Sequence, residues 1–313
     1  MPNVLEATTR PIVAGIGGHP DSEAALHWAV TAARARRAPL RVVLVADEPE
    51  LQRYVSYRPA IDGETFLVPA RPRRHPYDDL DRAVAFARLH LRRGTVTGRR
   101  APGSAATALI EDSVDAAMLV VGTRRRGPLA AAALGSVSAT VAAHARCPVV
   151  VVGTAPPEST TDLPVVAGIT DDRAADGVLD FAFREASARR VPLSAVHAAP
   201  PGLGEPRHPG RFFGGLVPTL AARLANYASR YPGVPVTSHL SGADAAGELA
   251  AASARAQLVV VGSRGRGRVS GLVLGSVGQH LLHRAHSPVA VVHPSRARPP
   301  LRARTRPAAG SAS

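Results

Sequence analysis

The chain contains no lysine; all 38 of its Lys-or-Arg residues are arginine. That absence excludes the lysine-dependent phosphate loop of common NTPases, where an ammonium reaches the β- and γ-phosphates. No Gly-x-Ser-x-Gly elbow and no His-Glu-x-x-His pair occurs either, which removes two frequent hydrolase signatures. A single cysteine, Cys147, leaves no internal disulfide framework and no multi-cysteine metal site. It adjoins an apolar strand and reads as inert packing. Aromatic residues are only 4% of 313, so the cores must be made mostly of Val, Leu and Ala. No apolar run approaches the ~20 residues of a membrane span, and Met1–Arg10 lacks the apolar centre of a signal peptide. The expectation is a soluble, cytoplasmic chain.

What the chain has in excess is positive charge, +14 overall. Part of it sits in the tail, on Arg296, Arg298, Arg302, Arg304 and Arg306. Charge alone supports only non-specific attraction to nucleic acid, so no specific nucleic-acid partner is expected.

The dominant feature is an internal repeat, the first thing to seek in a chain of this length. Pro11-Ile12-Val13-Ala14-Gly15-Ile16 returns as Pro164-Val165-Val166-Ala167-Gly168-Ile169. Leu26, Trp28, Ala29 and Ala33 then match Leu179, Phe181, Ala182 and Ala186 without gaps. Val120-Val121-Gly122 matches Val260-Val261-Gly262, and Leu134-Gly135-Ser136-Val137 matches Leu274-Gly275-Ser276-Val277. The order is the same in both copies. The spacing places domain 1 at 10–153, a Pro/Ser/Thr-rich linker at 154–162, domain 2 at 163–293 and a disordered basic tail at 294–313.

Each copy reads as five strands alternating with four helices. In the first copy the strands fall at 11–16, 40–46, near 95–97, 118–121 and 148–152; in the second they fall at 164–169, 193–198, near 234–238, 258–261 and 288–292. The valine-rich runs suit strands buried on both faces. Alternation with helices implies right-handed crossovers and doubly wound parallel sheets. The predicted fold is therefore α/β, with two tandem five-stranded parallel sheets related by a pseudo-twofold axis. The stretch Asp47–Pro76 reads as a long loop, either a lid or a partly packed insertion.

One loop carries candidate chemistry. In the second copy the fourth strand ends in Gly262-Ser263-Arg264-Gly265-Arg266-Gly267-Arg268, and Gly275-Ser276 opens the last helix. Glycines let backbone amides approach an anion. A helix start offers unpaired amides where the dipole favours negative charge. The spacing Gly-x2-Gly-x9-Gly-Ser between a valine strand and a helix points to a phosphate-bearing ligand.

Gly262, Gly265, Gly275 and Ser276 are similar to the ATP-binding motif of the universal stress protein family. Both amino-terminal segments (VAGIGGHPDSEAALHWAV and VAGITDDRAADGVLDFAF) and the final HSPVAVV resemble the same family, in its tandem-domain, actinobacterial form. The resemblance implies a non-catalytic module of the stress response that binds ATP, with or without Mg2+. It also implies pairing of the two copies through their last strands, and either a monomeric pseudo-dimer or a dimer of such chains. The protein partner is unspecified, and no membrane partner is expected.

Carried over by position, the phosphate grip falls on Gly262, Gly265, Gly275, Ser276 and Val277, and in the first copy on Gly122, Arg125, Gly135 and Ser136. Arg125 stands where the family has its second glycine; its side chain either blocks backbone approach or binds phosphate itself. The family's aspartate after the first strand is missing, since Gly17 and Thr170 occupy those positions. Backbone contact to adenine falls on Val45 and Ala198. The second copy is therefore expected to be the better binder. The alternative is a scaffold of the same fold that acts by protein association without nucleotide. His280, His283 and His286 read as surface or cap histidines rather than metal ligands.

Overall fold

A computed structural model describes residues 10–17, 20–46, 55–59, 65–69, 76–92, 94–123, 135–153, 162–170, 174–198, 209–241, 244–263 and 274–293. The tail 294–313 and residues 154–161 of the expected linker lie outside the described residues.

The first half runs β1 (Ile12–Ile16), α1 (Pro20–Arg36), β2 (Leu40–Ala46), β3 (Val55–Pro59), β4 (Thr65–Pro69), α2 (Pro76–His90), β5 (Val96–Pro102), α3 (Ala105–Asp112), β6 (Met118–Gly122), α4 (Ser136–His144) and β7 (Val149–Val152). The second runs β8 (Val165–Gly168), α5 (Ala174–Arg189), β9 (Leu193–Ala198), α6 (Pro209–Arg230), β10 (Val236–Ser241), α7 (Ala245–Ser253), β11 (Leu258–Gly262), α8 (Ser276–Arg284) and β12 (Val289–Val292). Strands β3 and β4 form a separate antiparallel hairpin, with Tyr57 opposite Leu67. They occupy part of the stretch that the sequence left as a long loop.

The two halves do not form two sheets. One ten-stranded sheet runs β10-β9-β8-β11-β12-β7-β6-β1-β2-β5. Within each half of this sheet every pairing is parallel, as the sequence implied. The halves join where β12 pairs antiparallel with β7, placing Ala290 opposite Val150 and Val291 opposite Val149. The physical reason is the strand edge. Both β7 (VVVV) and β12 (VAVV) are apolar throughout and buried. Left alone, each would expose a row of unpaired N–H and C=O groups. An antiparallel pairing of equivalent strands satisfies both edges and relates the halves by a local twofold axis.

Helices α1, α2, α5 and α6 contribute to one core, and α3, α4, α7 and α8 to the other. Both cores continue across the seam. Val150, Val152, Ala290 and Val292 belong to the first, while Val149, Val151, Val289 and Val291 belong to the second. Fully burying one valine contributes roughly 1.5–3 kcal/mol, so the seam strands tie the two halves by apolar burial as well as by backbone bonds.

Above the seam the first helices of the halves meet. The Arg36 guanidinium lies 5.3 Å from the Phe181 ring centroid, and that of Arg189 lies 4.8 Å from the centroid of Trp28. Arg36 and Arg189 occupy equivalent positions of the repeat, as do Trp28 and Phe181, so the stacking is reciprocal. Each helix then ends in the same turn. Arg37 (φ 51°) and Arg190 (φ 59°) adopt the left-handed conformation, and the next residue's amide bonds back to Ala33 or Ala186, 3.0 Å in each case.

Candidate functional site

Because the five strands of each half run the same way, their carboxyl ends line one edge. In the second half that edge carries Gly168, Ala198 and Gly262. From β8 the sheet continues to β9 on one side and to β11 on the other. This is the switch point at which open α/β sheets form a crevice. Gly168 allows close packing beneath it: an added Cβ would lie 2.6 Å from Leu249 Cδ1 and 3.1 Å from Val261 Cγ1.

The start of α8 stands at this edge. Its first backbone bond runs from Gln279 N–H to Gly275 O (2.9 Å), which leaves the amides of Ser276, Val277 and Gly278 without helical partners. Gly275 is the N-cap (φ −61°, ψ 155°), and no side chain caps it. Ser276 is exposed and Val277 half-buried. Four described helix starts have a defined N-cap, at Ser104, Gly135, Asp244 and Gly275, and Asp244 alone accepts bonds from first-turn amides.

One detail corrects the sequence reading. The Gly275 N–H is not open, because it donates to Ser263 O at 2.9 Å. The Ser263 N–H in turn donates to Val292 O at 2.8 Å. Ser263 is thus tied both to β12 and to the start of α8, and the free amides of that helix start begin at Ser276.

The first half has the same frame with different ties. α4 starts uncapped after Gly135 (φ −58°, ψ 137°), with Ser136 exposed. Ser138 Oγ donates to Gly122 O at 2.6 Å, a bond that Gly278, at the matching position in the second half, cannot make. The Gly17 N–H donates to Ser22 Oγ at 2.9 Å. At the position where the family carries an acid, the first-half amide is therefore engaged by its own helix start. Thr170 is half-buried at the end of β8. Val45 pairs with Ala101 and Ala198 with Ser241, so both candidate adenine contacts extend their strands to the edge. Gly265 and Arg125 lie outside the described residues.

Sequence reasoning missed His197, next to Ala198. It is 2% exposed, and its Nδ1 lies 2.8 Å from Ile169 O. A cavity of about 10 Å³ at the seam is lined by Thr123, Leu282, His286 and Ser287 among others. It has room for one water and is distinct from the crevice. Among the described residues, no group of three or more His, Cys, Asp or Glu side chains is placed to hold a metal ion. His280 and His286 are exposed and His283 half-buried. No helix of the described residues is long and apolar enough to cross a membrane.

Comparison with known proteins agrees with this architecture. The universal stress protein family matches residues 8–153 and again 164–293. A universal stress protein of Mycobacterium tuberculosis is 34% identical over 300 residues, covering 91% of this chain and 96% of its own. The crystal structure of a putative universal stress protein from Pseudomonas aeruginosa superposes with a TM-score of 0.65 at 18% identity, covering 93% of this chain and 95% of that one. A universal stress protein from Archaeoglobus fulgidus, solved in complex with dAMP, is 26% identical and covers 42% of this chain and 97% of that one, with a TM-score of 0.34. Two family matches that together span every described helix and strand, in a chain whose halves share one topology, lead to one assignment: this chain belongs to the universal stress protein family.

Proposed function

We propose that the second half binds an adenine nucleotide, ATP with or without Mg2+, and that the chain acts as a non-catalytic module of the stress response. The observation that carries this reading is the start of α8. Three first-turn amides, with no side-chain cap among the described residues, sit directly beyond a glycine-ended strand beside the switch point. Such amides and the helix dipole favour a phosphate group. In this reading Gly262, Gly265, Gly275, Ser276 and Val277 surround the phosphates, with adenine and ribose beside Thr170 and Ala198. Residues 10–153 and 163–293 act as two domains of one intramolecular pseudo-dimer.

The first half supports a second reading. There the acidic position is Gly17, whose amide is already bonded to Ser22, and Ser138 ties α4 to Gly122. Those ties favour a first domain that acts as an association scaffold.

The test is calorimetry and thermal shift of the full chain with ATP. Ser276→Asp suits the helix, since an acid in the first turn complements the dipole, yet it opposes a phosphate. The expected result is binding by the wild type, near-complete loss in Ser276→Asp, and little change in Ser136→Asp. A wild-type chain with no response to millimolar ATP, or one indifferent to Ser276→Asp, would overturn the reading.

A further inference from the structure

The second half contains a buried polar atom that the fold does not satisfy. His197 is the penultimate residue of β9, in the file of Leu193 and Ala195, which face the core of α5 and α6. It is 2% exposed, and its Nε2 is buried without a hydrogen-bond partner among the described residues. Its Nδ1 lies 2.8 Å from Ile169 O. A carbonyl oxygen can only accept, so Nδ1 is the ring's N–H donor. In the neutral imidazole, Nε2 is then left as an acceptor with a free lone pair.

The ring's place follows from its one bond. Ile169 is the residue just past β8; its N–H donates to Val196 O (2.9 Å), and its carbonyl accepts from His197. The imidazole is therefore tied to the carboxyl end of β8 through Ile169, the residue before Thr170, while His197 itself precedes Ala198 on β9. Thr170 and Ala198 are the two positions that the family resemblance places beside the nucleoside.

The fold itself does not need a histidine here. Leu44 stands at the same point of the first half, opposite Ile16 on β1, and is buried in the same core. A buried acceptor without a donor is unfavourable, whereas a leucine in this place is not.

We propose that His197 Nε2 is the nucleoside-recognition acceptor of the second half: it takes a hydrogen bond from a donor on the bound nucleotide, either the exocyclic amine of adenine or a ribose hydroxyl. This rests on the nucleotide reading above and deepens it. Leu44 offers no acceptor, so this contact exists in the second half only. His197 is a specificity residue that holds the nucleoside, while the α8 amides hold the phosphates.

Titrating the full chain with ATP, inosine triphosphate, 2′-deoxy-ATP and 3′-deoxy-ATP tests this, in the wild type and in His197→Leu. Inosine triphosphate replaces the amine by a carbonyl, and each deoxy analogue lacks one hydroxyl. A single neutral hydrogen bond corresponds to an affinity change of about tenfold. The expected result is that His197→Leu weakens ATP by that factor and abolishes the wild type's discrimination against one of the three analogues. The analogue affected identifies the donor. Independently of any variant, the 15N resonance of the unprotonated His197 nitrogen in wild-type protein should move to lower shift on adding ATP, as a lone pair accepting a hydrogen bond does. ATP binding with unchanged discrimination in His197→Leu and an unmoved 15N resonance would overturn this proposal alone. A wild type that binds no nucleotide would take both readings down together.

Discussion

Glu185 of the second half is ion-paired with Arg36 of the first, and the pair is buried, with side chains 1% and 12% exposed. Arg189 Nε donates to the other carboxylate oxygen at 3.0 Å. One acid thus serves two guanidiniums that also stack across the seam on Phe181 and Trp28. The equivalent of Glu185 in the first half is Ala32, so the local twofold symmetry is broken at the point where the two halves touch.

Removing the acid leaves two largely buried cations without a counter-charge. Glu185→Ala is expected to cost about 3–5 kcal/mol, read as a lower urea midpoint. Replacing the whole triad (Arg36→Met, Glu185→Leu, Arg189→Met) removes the desolvation cost along with the attraction, and should be neutral or stabilising by up to about 4 kcal/mol. A triple variant as weak as the single one would show that shape, not charge balance, governs this contact.

The same cluster sets an acid limit. Burial pushes the Glu185 carboxyl up, but Arg36 and Arg189 more than offset it and hold it below the usual carboxylate range. A free glutamate titrates near pH ~4.3. The folded value is the lower one, so the stabilisation is fully present above that region and is lost as pH falls through the folded value. Urea midpoints measured from neutral to acid pH should therefore fall less steeply in Glu185→Gln than in the wild type. Parallel curves would remove Glu185 from the acid response.

Cys147 is buried, and that burial pushes its thiol up to about 12. Only the thiolate is nucleophilic. In native protein at pH ~8 the thiol should be silent toward an aromatic disulfide reagent, and one equivalent should react after denaturation. Rapid reaction of the native chain would mean that the α4–β7 corner opens readily.

The seam depends on small and apolar residues. Ala290, opposite Val150, is fully buried. Ala290→Asp places an unpaired carboxylate there and should destabilise the chain by roughly 3 kcal/mol or more. Loss of compactness in small-angle scattering would accompany it. A wild-type unfolding midpoint for this variant would contradict the continuous sheet.

Arg37 and Arg190 take a left-handed conformation that favours glycine. Arg37→Gly and Arg190→Gly should each stabilise by roughly 0.5–1 kcal/mol, since neither change removes the backbone bonds of the turn. Thermal midpoints that fall in both variants would indicate that the arginine side chains outweigh the backbone preference.

Much of the fold was legible because periodicity is local. Residues 40–46 and 193–198 form the expected strands with the expected bounds. The misses have identifiable causes. Helix α6 begins at Pro209, but the glycines and the internal Pro218 in PGRFFGGLVP weaken any helical signal from sequence there. The β3–β4 hairpin hides because each strand ends in a proline, at Pro59 and Pro69, a residue that argues against strands. Gly262, Gly275 and Ser276 could be nominated because a glycine-ended strand and a helix start leave a spacing along the chain. His197 could not, because a lone histidine in a strand has no pattern; its meaning comes from the orphaned nitrogen.

The sequence alone determined the duplication, the alternation of strands and helices, and the glycine-serine start of α8, all of which are properties of short segments. Only tertiary structure decided that β7 and β12 close two sheets into one, that Glu185 meets Arg36, and that His197 bonds to Ile169. Those outcomes depend on which distant surfaces come together. That choice is made by satisfying strand edges and burying charge, and neither leaves a repeat or a spacing along the chain.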